Sequence, residues 1–89
     1  MKRPLNFAIL KHMTTVDKAS ATDVVAALKG EYPTHRKLNE KDVLESLMTA
    51  TENGLLVEET YTLDDKGELV MYYSAPAECA EQINKYIKD

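Results

Sequence analysis

A helix that stops at a glycine and runs without a linker into a β-hairpin is the feature that most constrains the fold of this chain. The stretch covers residues 38–74. Asn39 is a favourable N-cap, and apolar residues after it recur at three- and four-residue spacing, which predicts a helix over residues 39–53. Gly54 supplies the left-handed backbone conformation that commonly ends a helix. The rest of the chain is organised around this unit.

The hairpin is predicted over residues 55–74, where side chains alternate and β-branched and aromatic residues are enriched. Residues 64–67 fit a four-residue turn whose glycine provides a positive φ. Such a turn pairs Leu63 with Glu68. The sequence therefore predicts a register for the two strands as well as their existence.

Two helices are predicted before this unit and one after it. The first covers residues 4–15, the second covers residues 21–31 with Ser20 as its N-cap, and the last covers residues 76–88. Three helices, a hairpin and a final helix are typical of a winged helix, an α+β fold. At this length we expect one domain, residues 1–89.

The third predicted helix divides into two faces at about 100° per residue. The apolar stripe that should pack on the core consists of Val43, Leu44, Leu47, Met48 and Thr51, with Ala50 beside it. The opposite face consists of Asp42, Glu45, Ser46, Thr49, Glu52 and Asn53. The face predicted to point away from the core therefore carries acids and no base.

Charge is unevenly distributed along the chain, whose net charge is −4. Residues 1–39 hold seven Lys or Arg and three Asp or Glu, whereas residues 40–68 hold two bases and nine acids. Residues 69–89 are close to neutral. The acidic middle segment contains the third helix and the hairpin, and its charge opposes approach to DNA, because most DNA affinity comes from neutralising phosphates.

Several function classes have no support in the sequence. No apolar run approaches the roughly 20 residues that cross a bilayer, and the start of the chain lacks the apolar segment of a signal peptide. The lone Cys79 cannot form an internal disulfide, which favours a reducing, cytoplasmic location. No phosphate loop, metalloprotease motif or catalytic triad is present. We therefore expect no enzyme, no cofactor and no metal site.

Four short segments carry a family resemblance. They are the helix exit Glu52-Asn53-Gly54-Leu55-Leu56, the charged turn at residues 64–67, the strand Met71-Tyr72-Tyr73-Ser74 and the helix start Pro76-Ala77-Glu78. In this order they resemble the bacterial winged-helix regulators, the group that includes MarR-like and PadR-like repressors. The resemblance implies that the third helix enters the major groove of DNA, that the hairpin touches the DNA backbone, and that an added helix forms a dimer. Those families usually place Arg or Lys on the third helix and on the hairpin, where this chain places acids.

Two functions remain open at this point. The resemblance implies a DNA-binding transcription regulator, whose contacts would come from Arg36, Lys37, Lys41, Thr49, Asn53 and Lys66. The acidic third helix and hairpin favour a winged-helix module that contacts another protein, or dimerises, and does not bind DNA.

The last helix is predicted to form a homodimer. Its apolar stripe and the neighbouring aromatic side chain are Ala80, Ile83, Tyr86 and Ile87. A two-fold pair would bury each stripe against its copy. The alternative is that this helix packs on the first helix of its own chain, against Leu5 and Ile9.

Overall fold

The computed structural model describes residues 3–88, so Met1, Lys2 and Asp89 of the predicted domain lie outside the described residues. The helices are α1 Leu5–Met13, α2 Ala21–Leu28, α3 Glu40–Glu52 and α4 Ala77–Tyr86, and the strands are β1 Val57–Leu63 and β2 Leu69–Ser74. This order confirms the predicted α+β winged helix. The first, second and last helices end two or three residues earlier than predicted.

Side-chain caps set the starts of α2 and α3. The Ser20 hydroxyl accepts from the Asp23 N–H at 3.2 Å, and the Asp23 carboxylate accepts from the Ser20 N–H at 3.1 Å, which is a capping box. Asn39 Oδ1 accepts from the Asp42 N–H at 2.9 Å. Both N-caps are those that the sequence predicted. Each side chain accepts a hydrogen bond from a backbone N–H that has no partner within the helix.

The end of α3 is closed by two backbone hydrogen bonds. The Gly54 N–H donates to the Thr51 carbonyl at 3.1 Å, and the Leu55 N–H donates to the Ala50 carbonyl at 2.9 Å. Gly54 has a φ of 79°, which L side chains rarely adopt. This is a Schellman motif, and it turns the chain directly into the hairpin as predicted.

The hairpin register differs from the prediction by one residue. Leu63 pairs with Leu69 and not with Glu68. The cause is the Asp64 carboxylate, which accepts from the Lys66 N–H at 2.8 Å and from the Glu68 N–H at 2.9 Å. These bonds hold Glu68 in the loop, so the connection has one residue more than the predicted turn.

A bulge and a bridge shape the base of the hairpin. The register shifts between Glu58 and Thr60, so the simple alternation predicted along β1 is broken there. On the other side, Ala19 and Tyr73 form an isolated antiparallel bridge with N–H to carbonyl distances of 2.9 Å in both directions. The bridge ties the segment before α2 to β2.

One hydrophobic cluster joins all four helices to the hairpin. Its most buried large side chains are Ile9, Met13, Val24, Val43, Leu47, Leu56, Tyr73 and Ile83. Within residues 3–88, no helix is long and apolar enough to cross a bilayer.

The core-facing side of α3 is narrower than predicted. Val43 and Leu47 are fully buried and Ala50 nearly so, whereas Leu44 is 37% exposed and Met48 is 49% exposed. Ala50, which the prediction placed beside the stripe, belongs to the buried side. The helix is therefore rotated relative to the predicted stripe, and Leu44 and Met48 belong to its solvent side.

Candidate nucleic-acid interface

The turn between α2 and α3 is anchored at its start and exposed beyond it. Tyr32 is buried, its N–H donates to the Leu28 carbonyl at 3.0 Å, and its hydroxyl donates to the Arg3 carbonyl at 2.5 Å. Thr22 on α2 hydrogen-bonds to Glu40 at the start of α3. The Thr22 and Glu40 contact joins α2 to α3, and the two packed helices have the arrangement of a helix-turn-helix.

The exposed part of this turn carries the basic side chains that the sequence singled out. Arg36 and Lys37 are both exposed. The backbone beneath them is fixed, because the Lys37 N–H donates to His35 Nδ1 at 3.1 Å and the Asn39 side chain donates to the Arg36 carbonyl at 3.0 Å. The turn therefore presents two cations on an ordered backbone.

The solvent-facing side of α3 combines apolar and charged groups. We call this side the outer face; its residues are Lys41, Leu44, Glu45, Met48 and Glu52, and all of them are exposed. The sequence-based prediction missed Leu44 and Met48. The available signal was the spacing of Val43, Leu47 and Ala50, which alone gives a complete stripe of four- and three-residue steps.

Three of the predicted contact residues, Lys37, Thr49 and Asn53, line a different surface. Thr49 and Asn53 line an open groove between α1, α3 and α4, together with Lys37 and with Tyr86 of α4. Lys41 does not line this groove. The six predicted DNA contacts are therefore spread over three places. Arg36 and Lys41 lie at the start of α3, Lys37 lies there and also lines the groove with Thr49 and Asn53, and Lys66 lies in the hairpin loop.

The hairpin, or wing, is acidic and exposed over most of its length. Its exposed carboxylates belong to Glu58, Glu59, Asp64, Asp65 and Glu68, and Lys66 is the basic residue of the same segment. At the base of the wing, Lys18 Nζ lies 5.6 Å from the centre of the Tyr72 ring, a cation–π contact. Carboxylates thus lie at both ends of the wing, with Lys66 among them in the loop and Lys18 near the base, and the strand residues 60–63 and 69–74 between the ends carry no charge.

The predicted dimer stripe is largely used within the chain. Ile83 is fully buried and Ile87 is 4% exposed, and both belong to the core cluster, whereas Tyr86 is 71% exposed. The Phe7 and Tyr86 rings meet edge to face at 5.9 Å, and Lys11 Nζ donates to Asn84 Oδ1 at 2.7 Å. These contacts correspond to the alternative in which α4 packs on α1. The dimer prediction was based on an uncovered apolar stripe, but Ile83 and Ile87 are covered by other parts of their own chain.

Tyr73 is the titratable group with a distinct environment. Its ring lies in the core, and burial raises the pKa of its hydroxyl above 10.0, with a further increase from the negative charge of Glu58. Within the described residues, no group of three or more His, Cys, Asp or Glu side chains is arranged to hold a metal ion.

Comparison with known proteins supports the fold. No protein-family model matches the sequence, and no curated protein matches it. Among solved structures, the chain is similar to Bacillus subtilis PadR in a crystal structure with operator DNA, with a TM-score of 0.73 and 16% sequence identity. The alignment covers 98% of this chain and 48% of that one, so this chain spans about half the length of its structural neighbour. The chain thus has the winged-helix fold of PadR-like regulators.

Proposed function

We propose that this chain is the DNA-binding module of a transcription regulator. The observation that supports it most is the uncovered helix-turn-helix, in which the turn and the outer face of α3 are both exposed. The similar PadR structure contains operator DNA. In a helix-turn-helix the second helix lies in the major groove, and here that helix is α3.

Phosphate contacts would come from the start of α3. Arg36 and Lys37 project from the turn, and Lys41 lies in the first turn of the helix. The Arg36 guanidinium can donate two parallel hydrogen bonds to one phosphate, whereas each lysine acts as a point charge. Three cations at one end of α3 fix the register of the protein on DNA, but they carry no sequence information.

Base contacts would come from the rest of the outer face. Leu44 and Met48 can contact the methyl groups of thymines, and Glu45 can accept a hydrogen bond from the amino group of cytosine. The preferred site would therefore contain thymine and cytosine on the contacted strand. Lys66 can reach a phosphate from the wing loop, and Thr49 and Asn53 can contribute from the side of α3 that lines the groove, which Lys37 and Glu45 also line.

A second candidate function rests on the same face. Glu45 and Glu52 lie on one side of the exposed Leu44 and Met48, and an apolar pair beside carboxylates also suits a protein partner. In that case α3 would not enter DNA at all. The two candidates differ in their response to salt, because release of counterions from DNA makes phosphate binding steeply salt-dependent.

The decisive experiment measures binding of a fluorescent DNA duplex between about 50 and 200 mM salt, the range over which phosphate contacts lose most of their strength. Sites would first be selected from a random duplex library. The test variant is Arg36→Ala with Lys37→Ala. Its matched control is Lys85→Ala with Lys88→Ala, which removes the same charge from the exposed end of α4.

We expect the wild type to bind with a steep salt dependence, and the turn variant to lower the slope of log affinity against log salt by about 2, or roughly 0.9 per lost phosphate contact. The α4 control should keep the wild-type slope. Absence of binding at 50 mM salt would overturn the DNA proposal in favour of the protein-contact function, and an equal loss in both variants would show that the turn has no special role.

Self-association is a separate proposal and now depends on the exposed Tyr86 and the half-buried Ala80. Sedimentation of the wild type and of Tyr86→Ser at high micromolar concentration measures it. We expect a dimer that the substitution weakens. A wild type that sediments as a monomer contradicts the proposal. A cytoplasmic location would agree with both proposed roles.

A further inference from the structure

An apolar row on one face of the wing continues past the point where the core ends. Tyr73, Met71 and Leu69 alternate along β2 and therefore share a face. Tyr73 is 2% exposed in the core, Met71 is half-buried, and Leu69 is 60% exposed. The side of the wing that packs against the helices at its base is thus uncovered toward its tip.

The strand register gathers further apolar side chains onto this uncovered face. Leu63 lies directly opposite Leu69, and Tyr61 lies directly opposite Met71. Leu63 is 62% exposed and Tyr61 is 64% exposed. We call these four side chains the wing patch. They form two cross-strand pairs, which lie about 7 Å apart along the strands. Within each pair, the two directly opposite side chains are close enough to interact.

Carboxylates border the wing patch at both ends. Asp64, Asp65 and Glu68 lie in the loop beyond the Leu63 and Leu69 pair, and Glu58 and Glu59 lie at the bulge below Tyr61. The patch is therefore a small apolar surface with net negative charge at both ends, although Lys66 lies among the loop carboxylates, and phosphates would be repelled from it. Exposed apolar patches with polar rims commonly mark contact sites.

We propose that the wing patch docks a segment of another protein that presents two apolar side chains between Lys or Arg residues. Apolar groups at i and i+2 of a strand, or at i and i+4 of a helix, would match the two cross-strand pairs. The basic residues would face the carboxylates at each end. A second copy of this chain fits less well, because two acidic rims would then meet each other.

The wing is ordered for this role before any partner arrives. The Asp64 carboxylate fixes the loop through the Lys66 and Glu68 N–H groups, and Gly67 supplies a φ of 78° that closes it. A preorganised surface loses less conformational freedom on binding than a mobile one. The inference is separate from DNA binding, because the turn and α3 supply most of the contacts proposed for DNA, and the one contact proposed from the wing, Lys66, is not part of the wing patch.

The test uses synthetic peptides as probes of the full chain, measured by fluorescence anisotropy and by chemical-shift mapping. One peptide alternates Leu and Lys, the second alternates Leu and Glu, and the third alternates Ser and Lys. The test variant is Leu63→Ser with Leu69→Ser. A second variant, the α3 control, is Leu44→Ser with Met48→Ser, which removes the exposed apolar pair of the competing protein-contact surface on α3.

We expect the Leu/Lys peptide to bind the wild type most tightly, with shifts centred on Tyr61, Leu63, Leu69 and Met71. The wing variant should lose about tenfold or more in affinity, because two partly exposed leucines no longer become buried. The α3 control should bind as the wild type does. Equal binding of the Leu/Glu peptide, or of the Ser/Lys peptide, would overturn the proposal.

Two further outcomes would also overturn the proposal. If the α3 control loses the peptide and the wing variant keeps it, the docking surface lies on α3. If the wild type dimerises and Leu63→Ser with Leu69→Ser makes it monomeric, the occupant is a second copy.

Duplex binding of the wing variant, measured in parallel, should equal that of the wild type, so failure of this inference remains distinguishable from failure of the DNA proposal. A wing variant that loses the duplex would assign the patch to DNA instead.

Discussion

At the residue scale, burial on α3 separates side chains that look alike in the sequence. Leu44 and Leu47 are both leucines on one helix, yet Leu47 is fully buried and Leu44 is 37% exposed. The difference follows from which side of α3 meets α2 and the core. A pair of equivalent truncations therefore measures packing directly.

We predict that Leu47→Ala lowers the free energy of unfolding by about 2–4 kcal/mol, whereas Leu44→Ala lowers it by less than about 1 kcal/mol. A buried leucine leaves a cavity when it is truncated, and a partly exposed one does not. Urea denaturation of both variants gives the values. Equal losses would show that the assigned orientation of α3 is wrong.

The buried Tyr73 hydroxyl gives a second prediction at this scale. Because its pKa is raised in the folded chain, its contribution to stability is complete below pH 10.0, the ordinary value that applies to the unfolded chain. Above that pH the unfolded state loses its proton first, and stability falls as pH rises toward the folded pKa.

Tyr73→Phe removes this proton and should make the loss of stability above about pH 10 less steep than in the wild type. Tyr61→Phe is the control, since Tyr61 is 64% exposed. Denaturant titrations at a series of alkaline pH values compare the slopes. A Tyr73→Phe slope equal to that of the wild type would show that this hydroxyl does not contribute.

At the scale of the element, the wing loop shows how one side chain sets a register. Asp64 accepts two backbone hydrogen bonds, and the neighbouring Asp65 has no side-chain hydrogen bond among those that the structure shows for this loop. The two acids are adjacent and both exposed. Their sequence context is nearly identical, but their structural roles differ.

Asp64→Ala should therefore lower the free energy of unfolding by about 1–2 kcal/mol, whereas Asp65→Ala should change it by less than about 0.5 kcal/mol. Loss of the Asp64 bonds also frees the loop to shorten. Nuclear Overhauser contacts between Leu63 and Leu69 would report whether the strand register survives. Similar effects of both substitutions would contradict the assigned role of Asp64.

At the scale of the whole molecule, the position of the acids matters more than their number. The chain is acidic overall, with a net charge of −4, and much of that charge lies on the α3 outer face and the wing. These are the surfaces that would approach DNA in the proposed complex. Removal of charge there should act differently from removal elsewhere.

We predict that Glu45→Gln with Glu52→Gln raises affinity for duplex DNA roughly three- to tenfold at low salt, with a smaller gain at high salt because of screening. Glu78→Gln with Glu81→Gln changes the net charge equally but lies on the exposed side of α4, and should raise affinity much less. Anisotropy titrations of all three proteins provide the comparison. Equal gains would mean that only net charge matters.

Local signals determined the architecture from the sequence alone. The caps at Ser20 and Asn39 and the stop at Gly54 act over a few neighbouring residues, so the sequence was sufficient to place α2, α3 and the start of the wing. The charge distribution and the absence of an apolar membrane segment were also readable, because they are properties of composition. Candidate DNA contacts could be proposed from residue type, but the sequence did not show which of them share a surface.

Tertiary contacts decided everything that depends on which side of an element is covered. On α3, Ala50 belongs to the buried stripe, and Leu44 and Met48 are exposed as a result. On α4, packing against α1 buries Ile83 and Ile87. A helical stripe defines a direction only to within its own width, and the neighbour that packs against it sets the final rotation. The wing patch likewise exists because the core ends at Tyr73 while the apolar alternation of the strands continues, a mismatch between local pattern and overall size that only the folded chain reveals.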